Sequence, residues 1–450
     1  MLDKYLLKGD ILEALLRSPP GIEDLRIMLN VAFPADLAEI LEDLEPVQQL
    51  KVLRCLSPEQ AADVLGDADE AIQKDLLRNL LTHSEITGIL NEIDPDEGAD
   101  LVGLLPDHEG EQALAHVEPE QAHAIRTLAT YDPETAGGIM TTEFVTVSPS
   151  LTIAEALEAL KASLDVEDIS NVYVTGEQGE LVGVLSVRDI LDADPNAGVE
   201  AVMTRDVIAA RVDDDQEQAS RLLDRYEFIS LPVIESRGEL VGVITIDDAM
   251  DVLEEEAEED IAMIAGSGVV TVRDSVLTHL RFRLPWLIVT LIGGILAALL
   301  VRSFDRTLSM VPELVFFMPV MVGMAGNVGI QSSSVLVRGF ATGEMVMDMA
   351  SRTLRQQLLV GLYVGLICGT VTGILAAILT GRIDLGYAVA ISMTAGIISA
   401  AAAGTWLPII CTRFGVDPAV ASGPVITTMN DILGLLIYFA VASVILLETI

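Results

Sequence analysis

Five long apolar segments fill the last part of the chain and restrict its fold more than any other feature. Four carry no charged residue and the fifth carries only Asp431; they cover Leu284 to Val301, Leu314 to Val337, Gln356 to Gly381, Leu385 to Thr412 and Pro418 to Leu447. A helix of about 20 apolar residues crosses the hydrocarbon core of a bilayer. We therefore predict an all-α membrane domain of five helices over residues 281–450. Because a long hydrophilic region precedes the first helix, we do not interpret that helix as a signal peptide.

A charge in the middle of a membrane helix requires an explanation. Asp431 lies near the centre of the fifth segment, and a charge at that depth costs at least about 3 kcal/mol on insertion scales. Carboxylates in such positions usually face the interior of a helix bundle or a water-filled path. Asp431 is therefore the first candidate for an ion-binding residue.

Arginines indicate the orientation of the membrane domain. If residues 1–280 are cytoplasmic, six arginines flank the spans on the inside (281, 283, 338, 352, 355 and 413) and three on the outside (302, 306 and 382). Basic residues concentrate on the cytoplasmic side of membrane proteins. We therefore predict a multi-pass protein of the cell (inner) membrane, with cytoplasmic N-terminal domains and the C-terminus outside.

The negative charge of the protein is confined to the region before the membrane domain. The whole chain has a net charge of −42; residues 1–280 hold 17 basic and 60 acidic residues, whereas residues 281–450 hold nine and eight. Such a surface attracts cations and repels nucleic acid, so we expect no nucleic-acid partner. Adaptation of the surface to high salt is an alternative source of the acidity, and the two interpretations are compatible.

Residues 1–130 predict an acidic, superhelical α-domain. Four segments begin with proline, carry acidic residues in the first turn and place apolar residues at helical spacing. They are PADLAEIL at 34, PEQAADVL at 58, PDEGADLV at 95 and PEQAHAI at 119. The alternative to a functional role is a packing module with a solvated acidic face.

Residues 131–252 contain an internal repeat. The segments GELVGVLSVRDILD (179–192) and GELVGVITIDDAMD (238–251) match at eight of fourteen positions, and each follows a short β-like run. The order β-α-β-β-α, with glycine before the second hairpin strand and Ser or Thr followed by Asp at the last helix start, closely resembles a tandem pair of cystathionine β-synthase (CBS) domains. This resemblance implies an α/β domain pair.

The polar residues at the start of the last helix of each repeat have two interpretations. They suit N-capping of the helix. In the CBS family such residues can also line an adenine-nucleotide cleft, where an arginine could meet a phosphate. ATP or a related nucleotide is therefore a candidate ligand for Ser186, Arg188, Asp189, Thr245 and Asp248.

A strongly acidic segment leads from the repeat to the membrane domain. Nine of the fourteen residues from Asp247 to Asp260 are carboxylates, and like charges at i,i+3 and i,i+4 destabilise a helix. The segment therefore needs cations or basic partners. Its position predicts a connecting helix over residues 253–280 that couples a sensor to the membrane.

The second and third membrane segments differ in their use of small residues. In PVMVGMAGNVGIQSSS (319–334), glycines alternate with Asn327, Gln331 and serines. This predicts a break-prone polar stretch that exposes backbone oxygens to a pore; close helix packing is the alternative. In the third segment, four glycines recur at intervals of four, which predicts close packing.

These features, in this order, resemble the MgtE family of magnesium transporters over essentially the whole chain. The most specific are PVMVGMAGNVGIQSS in the second span and Met-Asn-Asp in the middle of the fifth. The resemblance implies a homodimer whose pore lies on the two-fold axis, with Asp431 of both subunits facing hydrated Mg²⁺. Thr427 and Asn327 would border the path of the ion. Gly423 stands where some members carry a side-chain amide, so it receives no ligand role.

The resemblance also implies regulation by the transported ion. In the family, cytosolic Mg²⁺ bridges acidic residues between the N-domain and the CBS domains and around the connecting helix, which favours a closed pore. When Mg²⁺ is scarce, repulsion would separate the domains and release the connecting helix as a plug. The matching positions are Asp96, Asp100, Glu217, Glu227, Asp248, Asp251, Glu256, Glu259 and Asp260.

Other classes of function fit the sequence less well. A non-conducting membrane-anchored nucleotide or ion sensor would need neither Asp431 nor the polar stretch in the second span. An enzyme would need a nucleophile with a base or a metal cluster, yet the five histidines lie outside the spans and show no ligand spacing. Transport of another divalent ion, such as Co²⁺, Ni²⁺ or Mn²⁺, stays open because oxygen ligands discriminate weakly between these ions.

Overall fold

The structure is a computed structural model in which residues 11, 26, 28–163, 170–268, 270, 275–342, 345, 349–421 and 423–447 are described. The chain forms two compact units, Met1–Glu254 and Glu255–Ile450. Residues 1–10, 12–25 and 27 of the predicted N-domain lie outside the described residues, as do residues 269 and 271–274 of the predicted connecting segment.

Eight short helices lie between residues 34 and 128 of the first unit. They are α1 (Pro34–Glu42), α2 (Pro46–Leu53), α3 (Pro58–Gly66), α4 (Glu70–Asp75), α5 (His83–Leu90), α6 (Pro95–Gly103), α7 (Asp107–Leu114) and α8 (Pro119–Leu128), and a π-helical turn, Leu76–Leu80, follows α4. The four predicted helices with proline at their start are confirmed as α1, α3, α6 and α8. Their apolar faces form one hydrophobic core, which continues into Leu223 and Leu231 of the second CBS unit.

Two three-stranded sheets with the same topology follow. The strands are β1 (Val145–Val147), β2 (Asn171–Thr175) and β3 (Leu181–Ser186), then β4 (Ala210–Arg211), β5 (Ser230–Ile234) and β6 (Leu240–Thr245). In each sheet the first strand pairs parallel with the second, and the last two strands form an antiparallel hairpin. The helices of this region are α9 (Ile153–Ala162), α10 (Val187–Asp192), α11 (Val199–Val202) and α12 (Gln216–Tyr226). The predicted β-α-β-β-α order is confirmed in both CBS repeats.

Glycine occupies the same place in both hairpin turns. Gly179 and Gly238 each have a φ of 81°, a left-handed conformation that glycine adopts without steric cost. The two turns also join the sheets, since the backbone N–H of Leu181 donates to Gly238 O at 2.9 Å and that of Leu240 donates to Gly179 O at 3.0 Å. The glycines noted in the repeat therefore shape the hairpins and their junction.

One helix of 20 residues, Ile246–Ala265, follows β6 and is called the connecting helix here. Its first part belongs to the first unit and its last part to the second. In the second unit its end packs against the start of the fifth membrane helix. Gly423 there has a φ of 53°, and a Cβ at this position would overlap the carbonyl oxygen of Ile264. The end of the connecting helix therefore touches the segment that leads to Asp431.

Among the described residues of the second unit, five helices have the length and the apolar composition needed to cross a membrane, which matches the predicted number. Spans 1 to 5 are the helices Val276–Ser303, Met318–Ala341, Ala350–Thr380, Ile383–Arg413 and Pro424–Leu447. A short helix α13 (Asp305–Met310) and 3₁₀ turns at Pro312–Phe317 and Pro418–Ala421 connect them. Side chains of spans 2, 4 and 5 form most of the buried core of this unit, including Met393, Tyr438 and Phe439.

The glycines of spans 2 and 3 lie in continuous helices and differ in what surrounds them. The predicted break in span 2 is wrong, because Met318–Ala341 is a continuous α-helix whose backbone carbonyls are used within the helix. The glycine stripe of span 3 packs against span 4 as predicted. A Cβ at Gly369 or Gly373 would lie 2.6 Å from the carbonyl oxygen of Ala390 or Gly386, respectively.

Candidate functional site

Asp431 lies on span 5 opposite a notch in span 2. Its side chain is half-buried, and its Oδ1 atom is enclosed without a hydrogen-bond partner among the described residues. The notch is Gly326: a Cβ built there would lie 3.9 Å from Asp431 Oδ1 and 3.8 Å from Thr427 Cγ2. Glycine at this position leaves a gap of about the size of a methyl group beside the carboxylate. Asp431 thus combines a charge with an Oδ1 atom that is unbonded among the described residues, as a residue that meets a cation requires.

The two other predicted pore residues lie on the same pair of helices. Thr427 precedes Asp431 by one helical turn and faces the same glycine, and its hydroxyl donates to Gly423 O at 2.9 Å. Asn327 follows Gly326 on span 2 and is exposed. The structure thus places Thr427 beside Asp431. Asn327 is the residue after Gly326, the glycine that faces both of them.

A second concentration of carboxylates lies in the first unit. A cavity of about 100 Å³ forms where α6, the CBS sheets and the start of the connecting helix meet. Six carboxylates line it, and no lysine or arginine does. The lining residues are Asp94, Asp96, Glu97, Thr141, Glu143, Phe144, Val145, Asn171, Tyr173, Ser230, Val243, Thr245, Asp247 and Asp248. We call this the acidic cavity.

Burial and mutual repulsion hold three of these carboxyl groups toward their protonated forms. The pKa is raised to about 6 for Asp96, to about 7 for Asp248 and to about 9 for Glu97, with burial as the largest cause in each case. The charge of Asp94 further raises the pKa of Asp96 and of Glu97. The charge of Asp96 further raises the pKa of Asp248. A fully ionised acidic cavity is therefore unfavourable unless a cation enters it.

These pKa shifts predict that, without Mg²⁺, the folded protein becomes less stable as the pH rises. The pKa values of Asp96 and Asp248 are higher in the folded protein than in the unfolded chain, where they lie near 4. The contribution of these two groups to the stability of the fold is therefore complete below about pH 4. It is lost as the pH rises through about 6 and 7. We expect the thermal midpoint of the full chain in chelator to fall by about 5 °C between pH 5.5 and 8.

We expect a divalent cation such as Mg²⁺ to remove most of that fall, because a cation in the cavity would compensate the ionised carboxylates. Thermal unfolding of Asp248→Asn in chelator is the matched control, and it should vary less with pH than the unsubstituted protein. A midpoint that rises from pH 5.5 to 8 in chelator would contradict the assignment of these groups.

Glu97 is a member of the acidic cavity that the sequence analysis missed. It follows Asp96 in the first turn of α6, where acidic residues commonly serve the helix dipole. Its carboxylate reaches the end of α3, and a Cβ at Gly66 would overlap it. The charge of the next residue, Asp67, helps to raise the pKa of Glu97. The Gly-Asp pair that ends α3 is the sequence signal that could have identified this contact.

Two further predicted regulatory residues act on the cavity from its edge. Asp100 lies one turn after Asp96 on α6, and its charge contributes to raising the pKa of Asp96. Asp251 lies one turn after Asp248 on the connecting helix, and its charge contributes to raising the pKa of Asp248. The structure therefore brings together four of the predicted residues, namely Asp96, Asp100, Asp248 and Asp251.

The remaining predicted regulatory residues lie elsewhere. Glu217 forms an ion pair with Arg221 on α12. Glu227 ends the same helix with a φ of 54°, in the left-handed region. Neither residue lines the acidic cavity. Three others continue along the connecting helix within the second unit: Glu256, Glu259 and Asp260.

The candidate nucleotide residues of the first CBS unit form a helix cap. Ser186 and Asp189 make a capping box at the start of α10, with 3.1 Å hydrogen bonds from Asp189 N to Ser186 Oγ and from Ser186 N to Asp189 Oδ2. Arg188, which lies between these two residues in the sequence, is exposed. In the second CBS repeat, the Thr245 hydroxyl donates to the Asp248 carboxylate, and both residues line the acidic cavity.

The donor sets fit a hydrated cation better than a bare one. In the part of the chain that the structure describes, no three His, Cys, Asp or Glu side chains come close enough to hold a metal ion by themselves. Mg²⁺ gives up its waters reluctantly and commonly keeps several of them when it binds to protein. Separated carboxylates around a small cavity can hold such an ion through its waters.

A carboxylate beside a glycine notch in a five-helix membrane domain, which one helix joins to a CBS pair, is the arrangement of a multi-pass ion transporter. Family models match the chain in the same order: the MgtE intracellular N domain at residues 32–134, CBS domains at 136–196 and 199–255, and the MgtE divalent cation transporter domain at 318–441. The chain belongs to the MgtE family of transporters and is not an enzyme.

Relatives and solved structures agree with this assignment. The chain is 35% identical over 424 residues to "Magnesium transporter MgtE" of Bacillus subtilis, covering 94% of each chain. It is 34% identical over 438 residues to the protein of the same name from Thermus thermophilus, covering 94% and 95%. The cytosolic domain of the Mg²⁺ channel MgtE in complex with ATP aligns with a TM-score of 0.52 and 33% identity, over 54% of this chain and 99% of that one.

Proposed function

We propose that this protein transports Mg²⁺ into the cell along a path that passes Asp431. The observation that carries the proposal is the half-buried carboxylate in the middle of span 5, with Oδ1 enclosed but unbonded among the described residues and a methyl-sized gap beside it at Gly326. A charge at this depth is costly without a counterion, and a passing cation supplies one. The relatives named magnesium transporters favour Mg²⁺ as that cation.

A homodimer would complete this site. One Asp431 supplies a single negative charge, whereas two of them across a two-fold axis would match a divalent ion in charge and symmetry. Thr427 and Asn327 would then border the path in both subunits. We propose that the N-terminal domains are cytoplasmic and the C-terminus lies outside, in agreement with the excess of arginines on the inner flanks of the spans.

Regulation would use the acidic cavity. We propose that cytosolic Mg²⁺ enters it in hydrated form, offsets the repulsion among Asp96, Glu97 and Asp248, and so stabilises the closed state of the pore. Residues 1–130 and 131–252 would form the sensor, and residues 253–280 would transmit its state to the membrane domain of residues 281–450. The contact of Ile264 with Gly423 is the physical link to span 5.

An adenine nucleotide is a second proposed regulator. The related cytosolic domain is described as a complex with ATP. Of the candidate residues, Thr245 and Asp248 line the acidic cavity, whose negative charge would repel a triphosphate. We therefore place the nucleotide at Ser186, Arg188 and Asp189, where an exposed guanidinium is available.

Ion flux into liposomes tests the proposed function directly. Purified protein should carry Mg²⁺ into liposomes, and Mg²⁺ should be carried faster than Ca²⁺ or Mn²⁺ at equal concentration. Protein-free liposomes and liposomes with Asp431→Asn are the controls. Faster flux of Mn²⁺, Co²⁺ or Ni²⁺ would assign the transporter to another divalent ion, and no flux of any of these ions would favour a non-conducting sensor.

A further inference from the structure

Three membrane helices meet at Gly329 of span 2, three residues after the glycine that faces Asp431. On one side is Gly404 of span 4: a Cβ there would overlap the carbonyl oxygen of Gly329 and lie 3.1 Å from its Cα. On the other side is Asn430 of span 5. The backbones of spans 2 and 4 are thus in direct contact at the point where the side chain of Asn430 arrives.

The side chain of Asn430 occupies the space that a side chain at residue 329 would need. A Cβ on Gly329 would overlap Nδ2 of Asn430 and lie 3.0 Å from its Cγ and from Cγ2 of Ile426. Asn430 is 1% exposed, and neither its amide nitrogen nor its amide oxygen has a hydrogen-bond partner among the described residues. A buried amide of this kind is unusual and calls for an explanation.

We infer that Asn430 is a positioning residue for Asp431, acting as a knob that fits the notch at Gly329. Adjacent residues on an α-helix point about 100° apart, so fixing Asn430 against span 2 fixes the direction of Asp431. The notches at Gly326 and Gly329 lie on one face of span 2, since residues three apart are neighbours on a helix. Asn430 and Asp431 face these two adjacent notches.

The role assigned to Asn430 depends on its shape. Within the described residues its amide contributes no hydrogen bond, whereas its side chain fills the space beside Gly329, next to Ile426. A group that instead contacted the ion or its waters would act through the polarity of the amide. A substitution that keeps the volume of the side chain but removes its polar atoms separates the two roles: it preserves a role in packing and abolishes a role in contacting the ion. The inference rests on the proposed role of Asp431 in the ion path.

A double-mutant cycle tests the inference. Asn430→Ala empties the space beside Gly329, and Gly329→Ala forces the asparagine out of it. Each single substitution should lower the ratio of Mg²⁺ to Ca²⁺ flux in liposomes by about tenfold or more, because a site that loses its supporting contact loses its geometry. The double variant should recover most of the ratio, since the new methyl group of residue 329 fills the space left by the amide. Gly323→Ala, where a Cβ meets no described atom within 4 Å, is the matched control on the same helix.

Asn430→Leu provides a second and independent measurement. Leucine branches at the same carbon but carries no polar atom, so it should keep the flux ratio near that of the unsubstituted protein. Loss of the ratio in this variant, or a double variant no better than Asn430→Ala, would overturn the positioning role and assign the effect to the amide. Near-normal flux in Asp431→Asn would instead reject the proposed ion path. All variants are compared at equal reconstituted amounts of monodisperse protein, and if both single variants fail to fold, the leucine variant decides.

Discussion

Asp431→Asn is expected to lower Mg²⁺ flux by orders of magnitude. Asparagine keeps the size of the side chain but removes its charge, once in each subunit of the proposed dimer. At about 4 Å and an effective dielectric of about 20, one unit-charge contact is worth about 4 kcal/mol before desolvation and screening are deducted. Because about 1.4 kcal/mol corresponds to a tenfold change in occupancy, even part of this loss would nearly empty the site. Flux of Mg²⁺ into liposomes measures the effect.

Asp384→Asn is the matched control for this substitution. Asp384 also belongs to a membrane helix, but it lies in the first turn of span 4 and pairs with Arg382 at 2.6 Å. Its loss removes the same charge from the membrane domain without touching the proposed ion path, so flux should stay near normal. If Asp431 only supported a neighbouring helix, Asn would replace it well, and near-normal flux in Asp431→Asn would reject the pore assignment.

The membrane part of the fold and its central carboxylate could be predicted because their signals are local. Hydrocarbon penalises each polar residue independently of the rest of the chain, so five uncharged segments identify five spans, and one charge among them identifies Asp431. The CBS pair could be predicted for a similar reason. The same motif occurs twice in the sequence, and Gly179 and Gly238 mark the equivalent hairpin turn in each copy.

The parts that could not be predicted depend on contacts between distant segments. A glycine in a membrane segment has the same appearance whether it breaks a helix or admits a neighbour, and the neighbour of Gly329 is Asn430, about a hundred residues later. Glu97 was missed for the same reason, since its burial depends on the end of α3 at Gly66. The role that the resemblance implies for Glu217 stays a prediction, and the ion pair of this residue with Arg221 on its own helix could not be read from the resemblance.

Neutralising the acidic cavity is expected to abolish most of the response to cytosolic Mg²⁺. The triple variant Asp96→Asn, Glu97→Gln, Asp248→Asn removes three of the six carboxylates that line the cavity. Both the repulsion in the absence of Mg²⁺ and the attraction for the ion are then strongly weakened. The balance between closed and open states should then depend little on cytosolic Mg²⁺, and the half-inhibitory concentration should shift by about 5–150-fold, the usual range of allosteric coupling. Patch recordings with Mg²⁺ varied on the cytoplasmic face measure this concentration.

Bulk charge offers a competing explanation, and a second triple variant separates the two. Glu120→Gln, Asp192→Asn and Asp224→Asn remove the same charge from exposed positions of the first unit that do not line the acidic cavity. If the acidity serves only solubility in high salt, both triple variants should behave alike. If the cavity is the sensor, the surface variant should keep normal inhibition, because exposed charges are screened over about 10 Å at ordinary salt. Conduction itself should persist in both, since neither variant alters Asp431, and unchanged inhibition in the cavity variant would exclude the sensor role.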